Sequence, residues 1–141
     1  MTADEIIQSL GLEPHPEGGH FRQTWIAPAK FNTRATGTAI YYLLKAGERS
    51  HWHKVDATEI WHFYAGAPLT LRQSVTELGP ATVHIVGANL AAGERPQVIV
   101  AENHWQSAAT MGAWTLVGCT VSPAFRFDGF TLAAPGFDIP D

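Results

Sequence analysis

Two histidines and a glutamate stand at a spacing that is typical of metal-binding or acid–base sites. His51 and His53 lie two residues apart in a stretch that favours β-structure. Side chains at positions i and i+2 of a strand point to the same face, so both imidazoles are expected on one side. Glu59 begins the next such stretch, after a polar segment long enough to turn the chain back. Antiparallel pairing of these two strands would place Glu59 beside both histidines.

This set of side chains is suited to two kinds of chemistry. Two imidazoles and one carboxylate on one face can bind a divalent metal and leave coordination positions open. Without a metal the same groups can transfer protons, since histidine titrates near neutral pH. A solvated face without a ligand is a third interpretation of the His-x-His pair. His62 is predicted to point away from Glu59, and Cys119, within an apolar run, to be an unreactive core thiol.

Short strands must position these residues. The 13 Gly and 9 Pro divide the 141-residue chain into short pieces, a pattern typical of an antiparallel sandwich or barrel. A helix is predicted only at the start, where Thr2 and Glu5 form a capping box and Gly11 ends it. With no long helical segment between strands, we expect one all-β domain over residues 1–141. The predicted strands are 20–26, 36–44, 50–54, 59–65, 69–75, 82–86, 97–101, 113–121 and 125–132.

Composition and charge exclude several classes of protein. An apolar fraction of 45% with 11% aromatic residues excludes a disordered chain. The net charge is −4 and the nine Lys and Arg are scattered, which argues against nucleic-acid binding. The longest apolar run, residues 39–44, is far too short to span a bilayer. With one cysteine and no signal-peptide pattern, we expect a cytoplasmic protein that binds neither nucleic acids nor membranes.

The pattern around these residues resembles the cupin superfamily. The first cupin motif repeats histidines, a glutamate and a glycine across a hairpin, and here it reads Gly47-x3-His51-x-His53-x5-Glu59-x6-Gly66. The second motif is similar to the segment 93–106, which ends at Gln106 where that motif has a histidine ligand. Segments 14–22, 38–44, 59–66 and 116–123 make the chain similar, more specifically, to the uncharacterised cupin family DUF985 (Cupin_5), described as sugar-epimerase-like.

The resemblance implies a cupin double-stranded β-helix, that is, a jelly-roll barrel, here with a short N-terminal helix and an internal cavity for a small molecule. Spacing and resemblance together predict one divalent metal (Zn, Mn, Ni or Fe) held by His51, His53, Glu59 and Gln106. His53 and Glu59 fit the family pattern, whereas His51, which is not a hallmark of the family, is predicted from its spacing alone. The resemblance also implies a homodimer. The stiff proline- and glycine-containing segment 14–19 is predicted to reach a neighbouring subunit and cover an exposed sheet edge.

The expected function is proton abstraction next to a carbonyl of a small polar, carbohydrate-like metabolite, as in an isomerase or epimerase, with a bound metal assisting as Lewis acid. His53 would be the base, oriented by Glu59, and Tyr41 or Tyr42 the acid. A cupin that binds or stores a ligand without turnover is the alternative, and a metal-dependent dioxygenase is a weaker one. Ligand-binding side chains are expected at Tyr42, Trp61, Phe63 and Gln106, with Tyr41 as a further aromatic wall.

Overall fold

One helix and eleven strands make up the chain in a computed structural model that describes residues 1–141. The helix α1 spans Ala3–Leu10. The strands are β1 (Glu13–Pro14), β2 (His20–Ile26), β3 (Thr38–Lys45), β4 (Ser50–Val55), β5 (Thr58–Gly66), β6 (Leu69–Ser74), β7 (Thr82–Val86), β8 (Gln97–Val100), β9 (Trp105–Thr110), β10 (Trp114–Ser122) and β11 (Phe130–Leu132). No helix has the length and apolar character needed to cross a membrane.

The N-terminal helix begins and ends at the predicted residues. The Thr2 hydroxyl accepts from the Glu5 backbone N–H at 3.2 Å, and the Glu5 carboxylate accepts in return from Thr2. Gly11 ends the helix in the left-handed conformation, at φ 66°, which glycine adopts without steric cost. Ile6 packs with Leu43 of β3. The helix therefore covers the outer face of a sheet and does not enter the barrel.

Two antiparallel sheets pack face to face. One has the strand order β1-β2-β3-β10-β5-β8 and the other β11-β4-β9-β6-β7. In both sheets, strands distant in sequence are neighbours near the centre, as β10 between β3 and β5 illustrates. This arrangement confirms the predicted all-β jelly-roll barrel.

The interior is apolar at one end and polar at the other. The main core lies between the sheets and consists of Tyr42, Leu44, Trp61, Leu69, Leu71, Val86, Val98, Val100, Ala108, Val117 and Cys119. Towards the other end the buried inward positions become polar, with Thr38 on β3, Ser50 and His53 on β4 and Glu59 on β5. Buried polar side chains require partners, so the polar end is where a site is to be sought.

The structure differs from the predicted strands in two places. The segment 125–132 contains a 3-10 turn at Phe127–Gly129 and only the three-residue β11. Strand β9 was not predicted, because Gln106, Ser107 and two alanines have a low intrinsic preference for strands. Strand β9 is nevertheless central in its sheet, paired with β4 on one side and β6 on the other. Tertiary pairing outweighs local propensity here.

Candidate functional site

A cavity opens at the polar end of the barrel, between the two sheets. It encloses about 480 Å³, measured out to its solvent-facing mouth. Both Glu17 and Glu59 line it, and we call it the Glu17–Glu59 cavity. Its other lining residues are His15, Phe21, Gln23, Thr38, Ile40, His53, Val55, Val121, Phe125 and Phe127.

Glu17 reaches the interior from the loop between β1 and β2. Gly18 follows it at φ +110°, and a Cβ there would lie 2.0 Å from the carbonyl oxygen of Arg49, the residue before β4. Only glycine at position 18 therefore allows the loop to come this close to the start of β4. The Tyr42 hydroxyl donates to the Gly18 carbonyl. The Glu17 carbonyl accepts from the His51 backbone N–H at 2.8 Å. These contacts fix the loop against its own barrel, and the contact of this segment with a neighbouring subunit stays a prediction.

The Glu17 carboxyl lies between two imidazoles and also contacts the Ser50 hydroxyl. Its Oε1 is 3.3 Å from His15 Nδ1, and its Oε2 is 3.5 Å from His53 Nε2. His15 Nδ1 accepts the Glu17 backbone N–H at 3.1 Å, so it carries no proton. His53 Nδ1 lies 2.7 Å from the His51 carbonyl, which can only accept, so the proton of a neutral His53 is on Nδ1 and Nε2 is bare. Both nitrogens that face Glu17 are therefore acceptors.

This arrangement favours a protonated Glu17. An ionised carboxylate would face two lone pairs, whereas a carboxylic acid can donate to one of them. Burial raises the pKa of Glu17 to about 8, against the opposing hydrogen bonds from Ser50 and Tyr42. Burial also lowers the pKa of His15 to about 4 and lowers that of His53. At neutral pH the cluster is a carboxylic acid between two neutral imidazoles, not an ion pair.

Glu59 enters the cavity from β5 and is held by a buried amide. Gln106 Nε2 donates to Glu59 Oε1 at 2.8 Å, and Gln106 Oε1 accepts from Trp61 Nε1 at 2.8 Å. Indole N–H is a donor only, so Trp61 fixes which end of the amide faces Glu59. Burial raises the pKa of Glu59 to about 7, more than the nearby His53 and the Gln106 hydrogen bond lower it. The carboxyl can therefore change its charge near neutral pH.

A β-bulge in β4 separates the two histidines that the spacing placed together. Ser50 pairs with Ala108 and His53 with Gln106, so β4 has one residue more than β9 over this interval. Ser50 and His53 both point inward as a result, and Trp52 packs outside the barrel. His51 Nε2 lies 2.9 Å from the Ala134 carbonyl. The prediction that His51 and His53 share a face is wrong.

None of the predicted ligand-binding side chains lies in the cavity lining. Tyr41 is on the outer face of β3 beside Tyr64, with ring centroids 6.3 Å apart, so the prediction that it is the acid is wrong. Tyr42 and Trp61 belong to the apolar core, and Phe63 packs against it. Gln106 reaches the site only through Glu59. Of the predicted catalytic residues, His53 and Glu59 line the cavity.

The predicted metal ligands do not assemble. His51 is outside the cavity, and both polar ends of the Gln106 amide are already bonded. Nowhere do three or more His, Cys, Asp or Glu side chains come together with the geometry of a metal site. The residues present therefore do not fit the predicted divalent metal. His62 does point away from Glu59, as predicted, and contacts Thr120 at 2.9 Å.

The loop residues His15 and Glu17 were missed by the sequence reasoning. Each stands alone in sequence, without the alternation that marks a strand. A usable signal exists, since His15 lies between Pro14 and Pro16, and Glu17 lies between Pro16 and the glycines Gly18 and Gly19. Such spacing restricts the backbone strongly on both sides, which a solvent-exposed loop does not require.

Comparison with solved structures gives the same fold over almost the whole chain. A Shewanella oneidensis protein solved by X-ray crystallography is 40% identical, with a TM-score of 0.89, over 95% of this chain and 85% of its own. A hypothetical protein from Leishmania major is 26% identical, with a TM-score of 0.88, over 97% and 90%. An R92A mutant of Bacillus subtilis oxalate decarboxylase is 12% identical, with a TM-score of 0.64, over 84% of this chain and 29% of its own. At that identity the likeness concerns the fold alone.

No curated protein matches the sequence. The family model described as Cupin superfamily (DUF985), Cupin_5, matches residues 4–133. That match covers nearly every strand of both sheets, and it includes the loop that carries Glu17. The chain belongs to the Cupin_5 (DUF985) family of the cupin superfamily.

Proposed function

We propose that the protein is a proton-transfer enzyme of the isomerase or epimerase type, acting on a small polar hydroxycarbonyl compound. The observation that carries the proposal is that two carboxyl groups, the buried Glu59 and the largely buried Glu17, line one cavity that opens to solvent. Their surroundings differ. Glu59 receives a hydrogen bond from an amide, which favours its charged form, and Glu17 faces two acceptor nitrogens, which favours its neutral form. Groups held in different protonation states are suited to act as base and acid.

The reaction has two balanced proton transfers. The Glu59 carboxylate removes the proton from the carbon next to the substrate carbonyl, and the Glu17 carboxylic acid donates its proton to the carbonyl oxygen. The product of this half-reaction is an enediol, with Glu59 protonated and Glu17 ionised. Glu59 then returns its proton to the adjacent carbon while Glu17 takes back a proton from the hydroxyl on that carbon, which gives the isomer and restores both glutamates. The epimer forms when the enediol turns its other face to Glu59 before the proton returns to the original carbon and Glu17 recovers its own proton.

His53 is assigned as a positioning residue for the acid. Its Nδ1–H is held by the His51 carbonyl, which leaves Nε2 to accept a hydrogen bond from the Glu17 carboxylic acid between turnovers. This differs from the predicted role of His53 as the base. The rings of Phe125 and Phe127 meet edge to face at 5.0 Å beside the cavity. They would exclude water from the enediol and strengthen the electrostatic interactions with it.

Solvent-exchange NMR tests the proposal. The protein is incubated in D₂O with a panel of aldoses, ketoses and hydroxyketones, and deuterium incorporation next to the carbonyl is followed by proton NMR. We expect exchange with at least one compound, lost on the order of 100-fold or more in Glu59→Gln and in Glu17→Gln. Glu102→Gln, at an exposed position, is the isosteric control and should exchange at the parent rate.

The same experiment separates an enzyme from a binding protein without turnover. Ligand-induced thermal stabilisation without any deuterium incorporation would favour the binding protein. Exchange that persists in Glu59→Gln would overturn the assignment of the base, and persistence in Glu17→Gln that of the acid.

A further inference from the structure

We infer that the Glu17–Glu59 cavity accepts uncharged polyhydroxylated compounds and rejects phosphorylated or carboxylated ones. This inference rests on the proposed function only in taking this cavity as the site. Twelve residues line the cavity, and none of them is Lys or Arg. The titratable groups among them are two carboxyls and two imidazoles, and burial lowers the pKa of both imidazoles.

Strand β2 directs its basic residue away from the cavity. Phe21 and Gln23 line the cavity, and Arg22 stands between them in the alternating pattern of a strand. The Arg22 guanidinium donates to the Leu10 carbonyl at 3.2 Å, at the end of the N-terminal helix. Its charge is therefore on the outside of the sheet and is not available to a ligand inside.

The basic residues near the mouth are also directed elsewhere. Arg126 stands between Phe125 and Phe127, both of which turn into the cavity, and it is exposed in an extended backbone. Arg34 makes two hydrogen bonds to the Asp56 carboxylate, at 2.7 and 3.1 Å. The Asp56 carboxylate balances Arg34 at this edge, and no guanidinium reaches the interior.

An anionic ligand would therefore be buried without a partner. A phosphate or carboxylate loses its hydration on entering a half-apolar cavity, and that loss is large unless a cation or several donors replace the water. Here an anion would also be repelled by the Glu59 carboxylate. Hydroxyl groups have no such cost, because they can donate to Glu59 and accept from Glu17, Gln23 or Thr38. The chemistry of the lining excludes nucleotide sugars and sugar phosphates.

Matched ligand pairs and an inserted cation test this inference. Thermal stabilisation is measured with fructose, fructose 6-phosphate and glucuronate, for the parent and for Gln23→Arg. Gln23 is exposed and lies at the mouth, so an arginine fits there without repacking the core. Gln97→Arg, on an exposed position of β8 outside the cavity lining, is the control for non-specific charge.

For the parent we expect no greater stabilisation by either anion than by fructose. Gln23→Arg should gain affinity for fructose 6-phosphate on the order of tenfold through a charge-assisted contact, and Gln97→Arg should not. Stronger stabilisation of the parent by an anion than by fructose would overturn the inference, as would a Gln23→Arg variant that gains nothing. The deuterium exchange that depends on Glu59 is unaffected by either result, so failure here and failure of the proposed function are distinguishable.

Discussion

The two sides of the Glu17–Glu59 cavity are built in different ways. The strand-borne side comprises His53 and Glu59, which project from β4 and β5, and the loop-borne side comprises His15 and Glu17. The strand-borne side is fixed by sheet pairing and by Gln106. The loop-borne side is fixed by a glycine turn and by hydrogen bonds to its backbone. Changes to each support should therefore affect one side more than the other.

Removing the glycine turn should have the largest effect. In Gly18→Ala the added Cβ would lie 2.0 Å from a backbone oxygen at φ +110°, so the loop-borne side must move. We expect a loss of unfolding free energy of about 3 kcal/mol or more, measured by urea denaturation. Gly47→Ala is the control, since it also has a positive φ (+86°) but nothing within 4 Å of the added Cβ. An equal cost for both variants would show that the close approach to β4 contributes nothing.

Removing the amide that holds Glu59 should come next. Gln106→Leu leaves the Glu59 carboxyl and the Trp61 N–H without partners, at a cost of about 1–3 kcal/mol. It also removes a hydrogen bond that lowers the pKa of Glu59. The low-pH limb of the deuterium-exchange profile, expected near the Glu59 pKa of about 7, should move to higher pH. The high-pH limb, expected near the Glu17 pKa of about 8, should stay in place. Movement of both limbs together would contradict the view that Glu17 and Glu59 are held by independent contacts.

The pH dependence of stability should separate the carboxyls from the imidazoles. In the folded chain Glu17 and Glu59 keep protons that the unfolded chain releases near their ordinary pKa of 4.5, so their contribution is present at low pH and is lost as the pH rises. The lowered pKa values of His15 and His53 act in the opposite direction, below their ordinary value of 6.5. The carboxyl effect is therefore unopposed between about pH 6.5 and 8.

In that window we expect the unfolding free energy to fall with rising pH, by up to about 1.4 kcal/mol per pH unit for each carboxyl. Denaturation at several pH values measures it. Glu17→Gln should remove the part of the slope that persists up to about pH 8, and Glu59→Gln the part that ends near pH 7. A parent stability that does not fall across the window would show that both groups are already ionised in the folded chain.

Replacing His51 should have the smallest effect. Its imidazole contacts only the Ala134 carbonyl, near the surface, and its contributions to the site come from its backbone N–H and carbonyl. We expect His51→Ala to change stability by less than about 1 kcal/mol and to leave deuterium exchange unchanged. His53→Ala is the matched comparison and should reduce exchange strongly. Equal losses of deuterium exchange in the two variants would show that the His51 side chain contributes to the site.

The strand-borne side was the more predictable one. Glu59 at the start of β5 and the inward position of His53 follow from alternation and from the cupin-like motif. The loss of His51 from that face depends on a single extra residue in β4, which the local sequence does not mark. Glu17 depends on a loop folded against a strand 33 residues later, a tertiary contact that periodicity does not encode. The role of Gln106 as a support for Glu59, not as a ligand, depends on the indole of Trp61 across the barrel.

Direct titration of the two carboxyls tests the central claim. Carbon-detected NMR of protein labelled at the glutamate carboxyls would follow Glu17 and Glu59, assigned through the two Gln variants. We expect their signals to titrate near pH 8 and 7 respectively. Titration of both groups to completion below about pH 5, the range of ordinary carboxyls, would contradict an acid and a base held together in this cavity.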